Sequence, residues 1–348
     1  MIAHIAVAEG APCPTLVLTA DLLPQDEAEL VKVLGQARQW LCDNNASKIM
    51  KFAVVARSQH PLFDLDYRFV QCLPGPEPRF DLRGSCGHSI LASVLVASRL
   101  GWLPKLAPDQ RVRVNVLNNG DHVVCEVDNV DRSSAAFTVH FLHSPLTRLR
   151  DLLVTGSPTA DLAYPGGGIQ VSLVSSGNPY VFVDAGELGV RSEKELFAHD
   201  PALFDVLTQI RRSAALHLGW DPAGAFPKVA ALGAFTPGRL SARAISVPSW
   251  HPTLALTGAS CLAAATSIKG TIPHALAEQA GCPEHHISID TPGGSTAVSA
   301  QTTGTDLDDS LKWISVAGKV ARFTGEVVIE PLRNLAFRKV EACLPLPN

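Results

Sequence analysis

Residues 87–100 read GHSILASVLVASRL, and residues 254–268 read LALTGASCLAAATSI. Both stretches would be apolar on nearly every face of a helix, and a helix without a polar face must be enclosed on all sides. Around them lie many short segments that alternate or run apolar between Pro, Gly, Asn and Asp, the pattern of β-strands. The sequence therefore predicts an α+β fold with two related halves, each a curved, mostly antiparallel sheet wrapped round one central apolar helix.

The boundary between the halves is predicted in GSPTADLAYPGGG (156–168), a loop rich in Gly and Pro. It divides the chain into residues 1–160 and residues 161–348. Amphipathic helices are predicted at 25–41 and 201–218, where apolar residues recur at spacings of three and four. Strands and helices do not alternate as in βαβ units, and no GxGxxG motif is present, so the sequence excludes a dinucleotide-binding fold.

Composition excludes several classes of partner. The chain has 29 Lys and Arg against 33 Asp and Glu, and no basic block that could neutralise a run of phosphates. Its opening residues do not form a signal peptide, and its apolar stretches are too short to span a bilayer. We therefore expect a cytoplasmic protein, monomeric or homodimeric, that acts on a small molecule and binds neither nucleic acid nor membrane.

The eight cysteines are scattered, without a CxxC pair or the paired Cys and His spacing of a zinc site. They are expected to be reduced thiols, most of them buried as small hydrophobic residues. The adjacent His285 and His286 lack further ligands at metal spacing. No metal and no cofactor are expected.

One cysteine differs from the others in its surroundings. In DLRGSCGHSILAS (81–93) a glycine-flanked turn runs directly into the first buried helix, which places Cys86 at a helix N-terminus. The unpaired N–H groups of Gly87, His88 and Ser89, together with the helix dipole, favour a thiolate and bind carboxylates there. From residue types alone, a proton-carrying thiol and a small residue that fills a tight turn are equally good interpretations.

At this segment the sequence resembles the methylaconitate isomerase (PrpF) family, which shares its fold with diaminopimelate epimerase. GSCGHS is similar to the family's GNCGN turn, and further stretches follow in family order over nearly the whole chain. They include ASKIMKFAVVARSQHPLFDLDYRFVQ (46–71), VSLVSSGNPYVFVDAGELG (171–189), FPKVA (226–230), HPTLALTGASCLAAATSIKGT (251–271) and FTGEVVI (323–329).

The resemblance implies a cofactor-independent isomerase or tautomerase that moves a proton across an allylic system, in an active site between the two halves. Substrates of this class are small unsaturated di- or tricarboxylic acids such as aconitate, methylaconitate or itaconate-like compounds. The family's acid/base pair is a cysteine and a lysine. The cysteine maps onto Cys86, and the lysine maps without a gap onto Lys51, or onto Lys48 if a short insertion is allowed. The gapless alignment favours Lys51.

Two family motifs are altered here. The N-terminal RGGTSKG loop corresponds to EGAPCPT (9–15), with Cys13 at a carboxylate-binding position, and the HPSG motif corresponds to TPGG (291–294). Each change removes a polar or cationic anchor, which predicts a substrate smaller, less charged or differently shaped than a tricarboxylate. The residues expected to bind it are Ser85, Gly87, His88, Ser89, Cys13, Asn178, Thr257, Gly258, Gly293 and Gly294.

Two other functions stay open. One is an amino or hydroxy acid racemase or epimerase, which in this fold pairs two cysteines across the cleft. We expect its second thiol near Thr291 to Gly294, where the sequence has none. The other is a catalytically silent protein that binds an acid, as the altered anchors suggest.

Overall fold

The computed structural model describes residues 1–332. The first half of the chain contains eight strands and two α-helices. The two helices, at Glu27–Asp43 and Gly87–Arg99, lie on opposite faces of the sheet. These elements are β1 (Ile2–Ala8), β2 (Thr15–Thr19), α1 (Glu27–Asp43), β3 (Lys51–Arg57), β4 (Leu65–Leu73), β5 (Arg79–Asp81), α2 (Gly87–Arg99), β6 (Arg111–Val116), β7 (His122–Val130) and β8 (Ser134–Arg148).

The second half adds nine strands and four α-helices within the described residues. These are β9 (Ala160–Tyr164), β10 (Gly167–Ser176), β11 (Asn178–Asp184), α3 (Glu193–Phe197), α4 (Pro201–His217), β12 (Lys228–Thr236), β13 (Arg239–Ser246), β14 (Ser249–Trp250), α5 (Leu256–Thr266), α6 (Ile272–Ala280), β15 (His286–Thr291), β16 (Gly294–Thr302) and β17 (Ser310–Val328).

The strand pairings of the two halves are the same. In the first half β2–β3 and β4–β6 are parallel, while β1–β2, β3–β4, β4–β5, β6–β7 and β7–β8 are antiparallel. In the second half β11–β12 and β13–β15 are parallel, while β10–β11, β12–β13, β13–β14, β15–β16 and β16–β17 are antiparallel. Each strand from β1 to β8 therefore has a counterpart nine strands later, and α2 corresponds to α5.

Both predicted central helices are confirmed. α2 is buried from Gly87 to Ala97, and α5 from Leu256 to Ala265. They share one apolar core with the inner face of the single 17-stranded sheet that the described residues form. On the outer face, α1 covers the strands of the first half and α4 covers those of the second, each with its own apolar cluster. These are the two amphipathic helices that the spacing of apolar residues predicts.

The last strand, β17, joins the halves. It pairs with β16 of the second half, and with β8 and β1 of the first. The strand is continuous from Ser310 to Val328 because it has a pairing partner over its whole length, β8 and β16 along its first part and β1 along its last part. The predicted boundary loop contains β9, which forms a hairpin with β10. The division into 1–160 and 161–348 stays a prediction, and residues 333–348 lie outside the described part.

Within residues 1–332, no helix combines the length and the apolar character needed to cross a membrane.

Candidate active site

Cys86 is the N-cap residue of α2, with an extended backbone, and is 8% exposed. Its carbonyl accepts hydrogen bonds from the backbone N–H groups of Ser89 and Ile90, and from the hydroxyl of Tyr67 at 3.2 Å. The turn is fixed from both sides, and the thiol therefore lies at the positive end of a buried helix, as the sequence predicts.

Lys51 is the first residue of β3 and is 5% exposed, whereas Lys48 is exposed on the surface. Burial by itself raises the pKa of the Cys86 thiol, but the charge of Lys51 and hydrogen bonds with Ser89 and Lys51 outweigh it, so this pKa lies below its ordinary value. A buried ammonium beside a thiol favours a thiolate–ammonium pair. The structure thus brings Lys51, and not Lys48, to Cys86.

The second half supplies the opposite wall of the same cavity. Lys228 is the first residue of β12 and Ala255 is the N-cap residue of α5, and both line the cavity with Cys86 and Lys51. The pairing registers Thr15–Lys51 and Tyr180–Lys228 show that the two lysines occupy equivalent positions. The N-termini of the two predicted central helices therefore meet at one cavity between the halves.

Two glycines permit this close approach. A Cβ atom on Gly84 would lie 2.0 Å from the Phe226 ring, and one on Gly87 would lie 2.6 Å from the side chain of Leu256, the first residue of α5. Any larger residue at either position would overlap a side chain of the other half. The glycines of the GSCG turn therefore serve the contact between the halves.

Asn178 holds the halves together by hydrogen bonds. Its amide nitrogen donates to the Ser85 carbonyl at 2.8 Å and to the Thr257 hydroxyl at 3.0 Å, while its oxygen accepts from the Ser85 N–H at 2.9 Å. Asn178 is 3% exposed. These bonds tie the Cys86 turn of one half to the α5 N-terminus of the other, so the residue positions the site; its contact with a substrate stays a prediction.

His251, five residues before the start of α5, is buried and lines the same cavity. Its Nδ1 accepts a hydrogen bond from the backbone N–H of Thr253 at 3.2 Å, while its Nε2 is buried without a partner among the described residues. Burial and the charge of Lys51 lower the pKa of His251 to about 3. The ring is therefore neutral near pH 7 and carries its proton on Nε2.

The cavity between these residues has a volume of about 30 Å³. That volume accommodates only about one or two water molecules. In this state the cavity is therefore closed to a molecule larger than water.

Five of the predicted residues line the cavity, namely Cys86, Lys51, Ser85, Asn178 and Thr257. The others lie around it. Gly87, His88 and Ser89 form the first turn of α2, and Gly258 makes room for the ring of Tyr180. Gly293 packs on Pro252 and Thr253, Gly294 follows it in the same turn with open space beside its Cα, and Cys13 lies in the loop before β2 near Cys72. Their roles in binding stay predictions.

Sequence reasoning missed Lys228, His251, Tyr180, Gln71 and Phe226, all of which line the cavity. Lys228 had a detectable signal, because KVAALGA of β12 repeats the pattern of KFAVVA in β3 at the equivalent position. His251 begins the family-like stretch 251–271, but nothing in that stretch marks it as a cavity residue, since its place there depends on a backbone hydrogen bond and on burial.

The expected position of a second thiol is wrong. Residues 291–294 form the turn between β15 and β16, whereas the residue equivalent to Cys86 is Ala255. The strand pairings decide this, because they superimpose α5 on α2. Cys261 is the buried thiol of α5; it donates to the Val174 carbonyl at 3.3 Å, and burial raises its pKa to about 12. Cys261 therefore serves packing, as predicted.

Comparison with known proteins identifies the family. The sequence pattern of the PrpF protein family matches residues 15–330. The chain belongs to the PrpF protein family. Among its relatives, 4-oxalomesaconate tautomerase of Pseudomonas putida is 26% identical over 71% of this chain and 73% of its own. The 3-methylitaconate isomerase of Eubacterium barkeri is 24% identical over 70% of this chain and 74% of its own.

The crystal structure of a methylitaconate-delta-isomerase has the same fold, with a TM-score of 0.63 and 22% identity over 94% of this chain and 95% of that one. The PrpF fold is thus the diaminopimelate epimerase-like one that the sequence predicts, and this PrpF-family chain is an isomerase.

Proposed function

We propose that the protein catalyses a cofactor-independent 1,3-allylic proton shift on a small unsaturated di- or tricarboxylic acid, with Cys86 and Lys51 as its acid/base pair. The observation that supports this most directly is the buried thiol–ammonium pair at a helix N-terminus, inside a cavity closed by both halves. The curated relatives named above act on oxalomesaconate and methylitaconate, which are acids of this class.

The reaction balances with these two groups alone. The Cys86 thiolate removes a proton from the allylic carbon, and the electrons of the broken C–H bond enter a dienolate conjugated with a carboxylate. The Lys51 ammonium then donates a proton to the carbon at the far end of the allylic system, so the double bond moves. The Cys86 thiol then returns its proton to the neutral amine of the neighbouring Lys51, which restores the thiolate and the ammonium.

Enclosure between the halves supports such a step. A carbanion-like intermediate is quenched by bulk water, and a dry cavity strengthens the interaction of its negative charge with fixed dipoles and ammonium groups. The N-termini of α2 and α5 both end at the cavity, with Cys86 and Ala255 as their N-cap residues. Their N–H groups favour bound carboxylates.

The test is isotope exchange in deuterated buffer with a panel of aconitate, methylitaconate and related unsaturated acids, read by NMR. We expect deuterium at the carbon that gains the proton, together with a moved double bond, and no loss of rate after treatment with a chelator. Exchange confined to a saturated α-carbon would instead identify a racemase, and binding without any exchange would identify a silent binding protein.

A further inference from the structure

We propose that Lys228 and His251, both supplied by the second half, form the subsite that holds the substrate carboxylate conjugated with the migrating double bond. The assignment rests on the proposed function, and it gives the second half a role in the reaction that is distinct from that of Cys86 and Lys51.

The first observation is the position of Lys228. It occupies the place in the second half that Lys51 occupies in the first, and it lines the same cavity as Cys86. Its ammonium lies 5.1 Å from the centre of the Phe226 ring, which holds the side chain at the cavity wall. It forms no salt bridge with a carboxylate of residues 1–332. A partly buried cation without a counter-ion is a ready partner for an anionic ligand.

The second observation is independent of charge. The hydrogen bond from the Thr253 N–H to Nδ1 leaves His251 with its proton on Nε2, and that N–H is buried without an acceptor in the described chain. A buried donor without an acceptor destabilises the folded protein unless a ligand supplies the acceptor. A carboxylate oxygen in the cavity would supply the missing acceptor.

The charges of the cavity agree with this assignment. Lys51 and Lys228 contribute two positive charges, and a Cys86 thiolate cancels one of them, while His251 stays neutral. The nearby carboxyl group of Asp81 is already paired with Arg83 at 2.6 Å. Among the residues that line the cavity one positive charge is left, which one substrate carboxylate would neutralise.

This subsite would also act on the transition state. Negative charge builds up on the conjugated carboxylate as the dienolate forms, and donors already in place stabilise it without reorganisation. A neutral imidazole suits this role, because it donates a hydrogen bond and keeps its proton. Loss of either residue is therefore expected to weaken binding and also to lower kcat.

The experiment measures binding without turnover. Calorimetry with 2-methylsuccinate, a saturated dicarboxylate, and with its two monoamides is carried out on the wild type, on Lys228→Met and on His251→Phe. Lys312→Met, an exposed lysine on β17, is the matched control. We expect Lys228→Met to weaken binding of the dicarboxylate about 10- to 100-fold, as for loss of a charge-assisted hydrogen bond. The control should bind as the wild type does.

The monoamides show which carboxylate is held. In the wild type one monoamide should bind much more weakly than the dicarboxylate, and in Lys228→Met this difference should disappear. His251→Gln, which keeps an N–H donor, should recover part of the affinity lost in His251→Phe. Equal affinities in the wild type and both variants, with unfolding midpoints unchanged, would overturn the subsite. If the variants bind the dicarboxylate more weakly but the wild type catalyses no proton exchange, the subsite is retained and the proposed isomerisation is rejected.

Discussion

The two halves share a backbone but differ in chemistry. Each places a lysine at the first residue of its third major strand, Lys51 in β3 and Lys228 in β12, and each ends a buried helix at the same cavity. Only the first half has a thiol at the helix end; the second has Ala255. The repeated framework thus supplies a closed cavity with two lysines, and under the proposed function the N-cap thiol assigns proton transfer to the first half.

That difference also separates this protein from a two-thiol racemase. A racemase of this fold removes a proton from one face and returns one to the other, which calls for an acid/base group on each helix end. Here the proposed acid/base pair, Cys86 and Lys51, belongs to one half, and the charge of Lys51 lowers the pKa of the Cys86 thiol. Such a pair is suited to moving a proton along one face of a conjugated system.

The largest effect is expected at the residue that distinguishes the halves. Cys86→Ser should lower kcat roughly 100- to 10,000-fold while the fold is retained, because a hydroxyl is far harder to deprotonate than a thiol at a helix N-terminus. The measurement is the rate of deuterium incorporation, with Cys42→Ser, an exposed cysteine, as the control. Near-normal turnover of Cys86→Ser would refute its assignment as the proton carrier.

The next effect compares two lysines of the first half. Lys51→Ala should reduce turnover about 100-fold or more, since it removes both the second proton carrier and the charge that lowers the pKa of Cys86. Lys48→Ala should stay within about twofold, because that side chain is exposed and absent from the cavity. Alkylation by iodoacetamide gives a second readout: the Cys86 thiol should react more slowly at pH 7 in Lys51→Ala. If Lys48→Ala were the more damaging change, the family's lysine would correspond to Lys48, and this chain would carry a short insertion after it.

A smaller effect separates the two equivalent lysines by pH. Burial and the charges of Lys51 and Arg211 lower the pKa of Lys228 to about 8. The charges of Cys86 and Asp81 act in the opposite direction. His251 is a further titratable group near Lys228, and the charge of Lys228 helps to lower its pKa. Lys228 is cationic below this pH and loses its charge above it. We therefore expect kcat/KM to fall about tenfold per unit above pH 8 in the wild type.

Arginine keeps its charge throughout this range, so Lys228→Arg should shift that alkaline fall to higher pH, whatever its absolute rate. The comparison is made on complete pH profiles of kcat/KM. If kcat/KM falls over the same alkaline pH range in both proteins, the fall belongs to another group and Lys228 does not bind the substrate.

The smallest effect tests the contact between the halves. Gly84→Ala should destabilise the protein by about 1–3 kcal/mol, since its methyl group would overlap the Phe226 ring. Combining it with Phe226→Leu, which removes the overlapping ring atoms, should recover part of the loss. Gly35→Ala in α1 is the control: its Cβ would lie 4.0 Å from its nearest neighbour, so it should be neutral or slightly stabilising. Urea unfolding midpoints are measured for these three variants and for Phe226→Leu alone, and additive losses in the double variant would argue against the close approach.

The sequence alone determined the parts of this protein that depend on local patterns. Two stretches without a polar face predict two enclosed helices, and the GSCG turn before one of them predicts Cys86 at a helix N-terminus. Ordered motifs along the chain also predicted the PrpF family and favoured Lys51 over Lys48. These features could be read because hydrophobic periodicity and helix capping act over a few residues.

Only the tertiary structure decided what faces Cys86. The opposite position is Ala255 rather than residues 291–294, and Lys228 and His251 join the cavity from segments more than 140 residues away. These neighbours are set by strand pairing in the repeat and by packing of two helix ends against Gly84 and Gly87. No local pattern encodes such distances, because burial, unpaired donors and the pKa of a buried group depend on contacts between residues far apart in sequence.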